Sequence, residues 1–299
     1  MRALVTGATG FVGPHLCAHL AACGDEAIDP GDNRTGFDIT DPEAVTATFA
    51  RLEPEVVYHL AALSDVAGSW GNRSLYLRVN IEGTSNVLQA AAATGVRRVL
   101  VVGSSEEYGR VDPGALPVGE DAPLQPVTPY GATKVAAGYL ALQAWLGSQL
   151  ETIRVRPFGH TGPGQSPAFF VPGFAGRVAA AEREGRDVIT AGSLDPVRDI
   201  SDVRDVVRAY RLLMDLGEPG AVYNVCSGTG VAIGDIADRL LSMAERPMRI
   251  ETDPALVRPA DAPRLVGDAS RLRATTGYEP SFSLDDTLAA VLAEARARA

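Results

Sequence analysis

The chain has 299 residues, enough to bury a full hydrophobic core in one large or two interleaved domains. With 27 basic against 37 acidic residues its net charge is −10, which excludes the basic footprint of a nucleic-acid binder. No apolar run approaches the ~20 residues that span a bilayer, and no basic amphipathic stretch suits an anionic membrane surface.

Ala3 to Thr6 reads as a short apolar strand running straight into a glycine motif, so no signal peptide is expected ahead of it. Phe11 to Cys23 is helical by period. Val56 to Leu60 is a second clear strand and Thr84 to Ala93 an alanine-rich helix. Val99 to Gly103 is a continuous apolar run, as expected of a buried parallel strand. A long helix follows over Pro129 to Leu150, then the strand Ile153 to Arg156, stopped by Pro157. This alternation predicts an α/β fold, a Rossmann-type doubly wound parallel sheet.

Past Pro157 the texture changes. Residues 157–175, rich in Gly, Pro and aromatics, read as loops. Val188 to Thr190, Val222 to Val225 and Arg249 to Glu251 read as short strands. Ser201 is the expected N-cap of a helix over Val203 to Leu216, and a last helix starts near Ser283. The pattern predicts a dinucleotide-binding domain over 1–156, to which 199–225 returns, and a smaller substrate domain over 157–198 and 226–299. Cys17, Cys23 and Cys226 lack metal-ligand spacing and read as reduced thiols of a cytoplasmic protein, the first two buried in packing. The four histidines are scattered, so no metal site is expected.

The first strand enters Thr6-Gly7-Ala8-Thr9-Gly10-Phe11-Val12-Gly13. Gly7 permits the tight turn, Gly10 lets phosphate approach the backbone, and Gly13 lets helix and strand pack closely. The helix N-terminus, with Phe11 and Val12, offers free N–H groups and a positive dipole end to a pyrophosphate. Asp29 or Asp32 would accept from a ribose hydroxyl, favouring NADH; Arg34 would meet a 2′-phosphate, favouring NADPH. Asp38 and Ile39 follow, either against the adenine or in a solvated turn.

Tyr130 and Lys134 lie four apart on a helix and so share a face. A tyrosine of pKa near ~10 is lowered by a nearby ammonium or an oxidised nicotinamide, and then exchanges a proton with a carbinol oxygen. The strand ending at Gly103 delivers Ser104, Ser105 and Glu106 to the carboxyl edge of the sheet, where ligands bind. Ser104 can hydrogen-bond the same substrate oxygen as Tyr130. Glu106 could take a proton beside a ketone or hold a sugar hydroxyl.

The glycine motif with Ser104, Tyr130 and Lys134 resembles the extended short-chain dehydrogenase/reductase family. Asn80, in Val79-Asn80-Ile81-Glu82-Gly83-Thr84, matches that family's structural asparagine, which organises the catalytic lysine, and is counted with the cofactor-binding residues. His59-Leu60-Ala61-Ala62 matches the strand end along it. Gly103 to Gly109, His160 to Gln165, Asp195 to Asp205, Tyr223 to Gly228, and Arg258-Pro-Ala-Asp261 with Leu265 to Asp268 resemble one branch, the reductases of GDP-linked 4-keto-6-deoxy sugars. The resemblance implies NADPH or NADH as cofactor and a nucleotide-sugar substrate. Arg198 and Arg258 would grip the diphosphate, Asp261 would face a sugar hydroxyl, and the segment from Val188 to Leu194 would line the base. Relatives usually carry asparagine where this chain has Gly159 and Ser193, which removes polar reach from the substrate side.

The same family holds 4,6-dehydratases, whose glutamate matches Glu106, and epimerases, both of which recycle a tightly held cofactor. A non-catalytic NAD(P) sensor is disfavoured by the intact Ser104, Tyr130 and Lys134. Family members often form homodimers through the helix bearing Tyr130 and the preceding one. The alanine-rich faces of Thr84 to Ala93 and Ala136 to Ala144 would either meet a partner or pack inside one subunit.

Overall fold

The computed structural model describes residues 1–32, 34–253 and 263–298. The expected substrate residues Arg258 and Asp261 lie outside the described residues. The first half alternates as expected: β1 (Arg2–Thr6), α1 (Val12–Ala22), β2 (Glu26–Ile28), α2 (Pro42–Leu52), β3 (Val56–His59), α3 (Arg73–Leu77), α4 (Gly83–Ala93), β4 (Arg98–Val102), α5 (Pro129–Ser148) and β5 (Glu151–Pro157). Then come β6 (Gly159–Thr161), α6 (Phe170–Glu184), β7 (Val188–Ala191), β8 (Val197–Asp202), α7 (Val203–Leu216), β9 (Val222–Val225), β10 (Gly230–Ala232) and α8 (Ile233–Ser242). The chain ends with β11 (Arg249–Thr252), β12 (Arg264–Leu265), α9 (Ser270–Thr276) and α10 (Leu284–Arg298).

Six parallel strands form the main sheet in the order β2-β1-β3-β4-β5-β9. The order reverses at β1, which has β2 on one side and β3 on the other. A ligand crevice therefore opens at the carboxyl ends of β1 and β3. Apolar side chains cover both faces. Leu16, Leu20, Val206, Tyr210 and Leu213 of α1 and α7 pack on one, and Val45, Phe49, Val87, Leu88 and Ala141 of α2, α4 and α5 on the other. The alanines of α4 and α5 answer the question left open by sequence: Ala90, Ala91, Ala141 and Ala144 pack inside the subunit.

A second sheet centres on β8, whose first half pairs with β10 and β12 and whose second half pairs with β6. A third apolar cluster, between α6, α8, α10 and β7, is separate from the main sheet.

Three expectations are corrected. Residues 157–175 are not all loop, since they hold β6 and the start of α6. Glycine and proline hid this helix, but Pro172 falls in the first turn, where its missing N–H costs nothing, and Phe174, Ala175 and Val178 are buried. Cys23 is exposed rather than buried, because it ends α1 at the surface. The N-cap of α7 is Asp202, not Ser201, which belongs to β8.

Asp202 accepts from the Arg204 backbone N–H at 2.7 Å, from the Arg204 guanidinium, and from Thr287 Oγ1 of α10 at 2.7 Å. Burial works to raise its pKa, but these hydrogen bonds outweigh burial and hold the carboxyl below its ordinary value. A carboxyl depressed on folding stabilises above its unfolded pKa of about 4, and that stability is lost as pH falls through the folded value. Asp202→Ala is expected to cost about 1–2 kcal/mol near neutral pH and to flatten the loss of stability in acid. Urea unfolding across pH checks this; wild-type midpoints in both neutral and acid solution would refute the cap.

Candidate active site

One cavity of about 680 Å³ runs along the carboxyl edge of the main sheet and into the cleft toward β6 and β8. Its first wall is the glycine loop. Gly7 has φ +74°, and an added Cβ would stand 2.8 Å from the Ala61 nitrogen, so neither a side chain nor another backbone course fits. At Gly13 an added Cβ would run into the Ala8 carbonyl, so the first turn of α1 packs directly on the glycine loop that follows β1. The first turn of α1 has no side-chain cap and no acidic residue. Its N–H groups and the bare edge of Gly10 thus form a cradle suited to a pyrophosphate. The chain along Leu60, Ala61 and Ala62 forms the floor, and Asp32, Asp38 and Ile39 line the outer end. The donor set and the groove fit a dinucleotide.

The inner end holds Ser104, Ser105, Glu106, Tyr130 and Lys134. Ser104 leaves β4 in an extended conformation and caps a single 3-10 turn over Ser105–Glu107. Its Oγ accepts from the Glu106 N–H at 3.1 Å, which leaves its own proton to donate. The Ser104 hydroxyl stands beside the Tyr130 phenol, where it works to lower the phenol's pKa. Tyr130 is the second residue of α5, behind the N-cap Thr128, whose Oγ1 accepts from the Gly131 N–H at 3.0 Å.

Lys134 places its Nζ 5.9 Å from the Tyr130 ring centre and donates to the Val102 carbonyl at 2.8 Å. Burial pushes its pKa down to about 8, with Glu107 pulling the other way. Burial also pushes the Tyr130 phenol up, against the Ser104 hydroxyl and with Glu106 and Glu107 adding to the rise. Burial thus favours the neutral phenol at Tyr130, the opposite direction from the lowering expected of Lys134 and an oxidised nicotinamide together.

Of the residues expected from sequence, Gly7, Gly10, Phe11, Val12, Gly13, Asp38, Ile39, Leu60, Ala61, Ala62, Ser105, Gly159 and Arg198 line the same cavity. Four do not. Arg34 points outward and pairs with Asp32, which itself lines the cavity. Asn80 is buried behind the wall, holding the Leu63 backbone through both ends of its amide and donating to Thr133 Oγ1 at 3.0 Å. Val188 is taken by pairing with Arg249 in a two-stranded sheet. Leu194 packs among α6, α8 and α10.

Gly159 has a local cause: β6 runs so close to β8 that an added Cβ would lie 2.9 Å from the Asp199 carbonyl. Sequence reading missed His160, Gln165, Phe169 and Asp199 as lining residues. It also missed the pair behind Ser104. Glu107 accepts from the Ser104 N–H at 2.9 Å and from Arg156 Nε at 2.8 Å, and both side chains of the pair are under 10% exposed (4% and 6%). The available signal was Arg156 itself, a second arginine two residues after Arg154 and so on the same side of the strand.

The profile of the NAD dependent epimerase/dehydratase family matches residues 3–226. The chain belongs to that family. GDP-6-deoxy-D-mannose reductase of Pseudomonas aeruginosa is 36% identical over 99% of this chain and 98% of its own. dTDP-glucose 4,6-dehydratase of Streptomyces griseus is 29% identical over 97% and 92%. Among solved structures, RMD from Pseudomonas aeruginosa complexed with NADPH superposes with a TM-score of 0.92 at 33% identity, covering 100% of both chains. The chain is an NAD(P)-dependent enzyme with a Rossmann-type fold. Among the described residues no helix is long and apolar enough to cross a membrane.

Removing one member of a buried ion pair strands the other charge, at a cost of about 3–5 kcal/mol. Glu107→Gln is expected to lower stability by that amount, and Glu107→Gln with Arg156→Met to recover most of it. Denaturant unfolding measures both; equal losses in the single and double variants would show that the charge pair is not the cause.

Proposed function

We propose that the chain reduces the C4 ketone of a nucleotide-linked 4-keto-6-deoxy sugar with NADPH or NADH, converting GDP-4-keto-6-deoxy-D-mannose to GDP-D-rhamnose. The observation that carries this is the placement of the Tyr130 phenol and the Ser104 hydroxyl, two proton donors, at the inner end of a cavity that continues past Gly159 and Arg198. When bound, a reduced nicotinamide would supply the hydride. Ser104 and Tyr130 hydrogen-bond the ketone oxygen, and Tyr130 protonates it as negative charge develops. Lys134 holds the ribose and balances the phenolate left behind. Arg198, on the far wall, pairs with the diphosphate, and Arg258 and Asp261 are assigned to the same substrate.

Residues 1–156 with the returning 199–225 form the dinucleotide unit in this reading, and 157–198 with 226–299 the substrate unit. The six-stranded sheet that includes β9, and the separate cluster under α6, α8 and α10, support the division. A cytoplasmic homodimer is proposed as well, through the outer face of α5, where Tyr139 and Leu146 are large and exposed. Glutamate on this face would leave a monomer by light scattering; an unchanged dimer would move the interface elsewhere.

One observation favours a second reading. Glu106 lines the cavity beside Ser105 and Tyr130, where a 4,6-dehydratase or epimerase would use a carboxylate. Cofactor stoichiometry separates the two. A reductase oxidises one NAD(P)H per keto sugar, whereas turnover of GDP-mannose with no net change in NAD(P)H would overturn the reductase reading.

Tyr130→Phe is expected to lose roughly 10²–10⁴-fold in turnover while cofactor binding persists. Reductive kcat/KM is expected to fall as pH rises through about 8, because Lys134 deprotonates there and no longer balances the phenolate. A flat profile across that range would remove the lysine from the proton balance.

A further inference from the structure

Behind the cavity wall, a chain of hydrogen bonds joins the glycine loop to the catalytic helix, and His59 is its middle link. Thr6 Oγ1 lies 2.8 Å from His59 Nδ1, and His59 Nε2 lies 3.0 Å from Thr84 Oγ1. The polarity of every bond can be assigned. Thr84 gives its only hydroxyl proton to the Asn80 carbonyl at 2.7 Å, so at His59 it must accept. Nε2 therefore carries the proton and Nδ1 is the acceptor. Thr6 in turn donates to Nδ1 and accepts from the Ala61 N–H at 3.3 Å.

Each end of this chain reaches the cavity. Ala61 is the floor beneath Gly7 and lines the cofactor groove. Asn80 lies in a five-residue π-helical turn over Arg78–Glu82, and its amide donates to Thr133 Oγ1, which donates to the Tyr130 carbonyl at 2.7 Å. Such single π turns recur at functional sites, where they re-aim a helix. His59, Asn80, Thr84 and Thr133 are all buried. Burial, with the Lys134 charge adding to it, pushes the imidazole down to about 3, so the ring stays neutral and its tautomer holds across the working pH range.

We infer that His59 is a positioning residue with two separable arms: its Nδ1 side sets the cofactor floor through Thr6 and Ala61, and its Nε2 side sets Tyr130 through Thr84, Asn80 and Thr133. It touches neither ligand. The turnover part of this inference rests on the reductase reading; the cofactor part does not.

The two nitrogens can be replaced one at a time. In His59→Asn the amide oxygen stands where Nδ1 was, keeping the Thr6 arm and losing the donor to Thr84. In His59→Gln the amide nitrogen stands where Nε2 was, keeping the Thr84 arm and leaving Thr6 without an acceptor. NADPH and NADH binding are read by fluorescence titration, and turnover by oxidation of NAD(P)H with the keto sugar. The expected pattern is crossed. His59→Asn binds cofactor as wild type does and loses kcat by roughly tenfold, the size of one buried hydrogen bond left unmade. His59→Gln keeps kcat at saturating cofactor and loses cofactor affinity by a similar factor.

Equal effects of the two variants on both quantities, or no effect of either, would overturn the inference. Where either variant is unfolded by circular dichroism, Thr84→Val and Thr6→Val make the same crossed comparison from outside the ring, and a common effect of both is again fatal to it. A wild-type enzyme that oxidises no NAD(P)H with any keto sugar refutes the reductase reading instead. The His59→Gln against His59→Asn difference in cofactor affinity still decides whether the ring positions the floor.

Discussion

Ser104 holds its place because Glu107, three residues on, is clamped from the neighbouring strand by Arg156. Two buried charges cost several kcal/mol each in lost hydration, so the pair stands only if the surroundings supply the missing hydrogen bonds. They do. Arg156 also donates to Tyr108 Oη and to the Glu120 carbonyl, Tyr108 donates to Asn224 of β9, and Asn224 donates to the Val118 carbonyl. The catalytic turn after β4 is thus tied to β5, to β9 and to the segment leading to α5. Gly103 follows from the same constraint, since the Glu107 carboxylate occupies the space where its Cβ would go.

On the substrate side the comparable hub is Asp199 of β8. Its carboxylate accepts from the N–H groups of Ser227, Gly228 and Gly267 and from the Ser227 hydroxyl. One side chain so gathers the end of β9 and the approach to α9 against the strand that carries Arg198. The close passage of β6 over the Asp199 carbonyl leaves Gly159 no room for a side chain. The polar reach missing at that position therefore goes with the close strand spacing.

What could be read from the residues, and what could not, divides along the same physical line. Local patterns were legible. A glycine triplet after a strand, a continuous apolar run at Val99 to Gly103 and a tyrosine four residues before a lysine each follow from short-range sterics or helical period, and each element lies where the pattern put it. Long-range polar pairing was not. Nothing adjacent to Glu107 announces that its partner is 49 residues away, and nothing near Asn80 announces that its amide serves Leu63 and Thr133 rather than the cavity. The α6 helix was hidden for another reason: its glycines and proline lower helix propensity, and burial against α8 and α10 overrides propensity. Val188 and Leu194 were assigned to the base by family resemblance alone, and resemblance does not say which face of a strand or loop meets the ligand.

The acid–base pair shows why burial direction matters more than the identity of the residues. Desolvation acts on both partners toward neutrality, raising Tyr130 and lowering Lys134. For oxidation of an alcohol that would be a handicap, since the base would start protonated. For reduction of a ketone it is the required starting state: the acid must hold its proton until the oxygen gains charge. Once the phenol has given up that proton, a phenolate faces the lysine in a site of low dielectric, where an ammonium 5.9 Å from the ring centre counts for more than it would in water. In the proposed reduction Lys134 would thus stabilise the end of the proton transfer rather than its beginning. A pKa near 8 keeps it charged for that role at neutral pH while leaving it only weakly committed to the charged form.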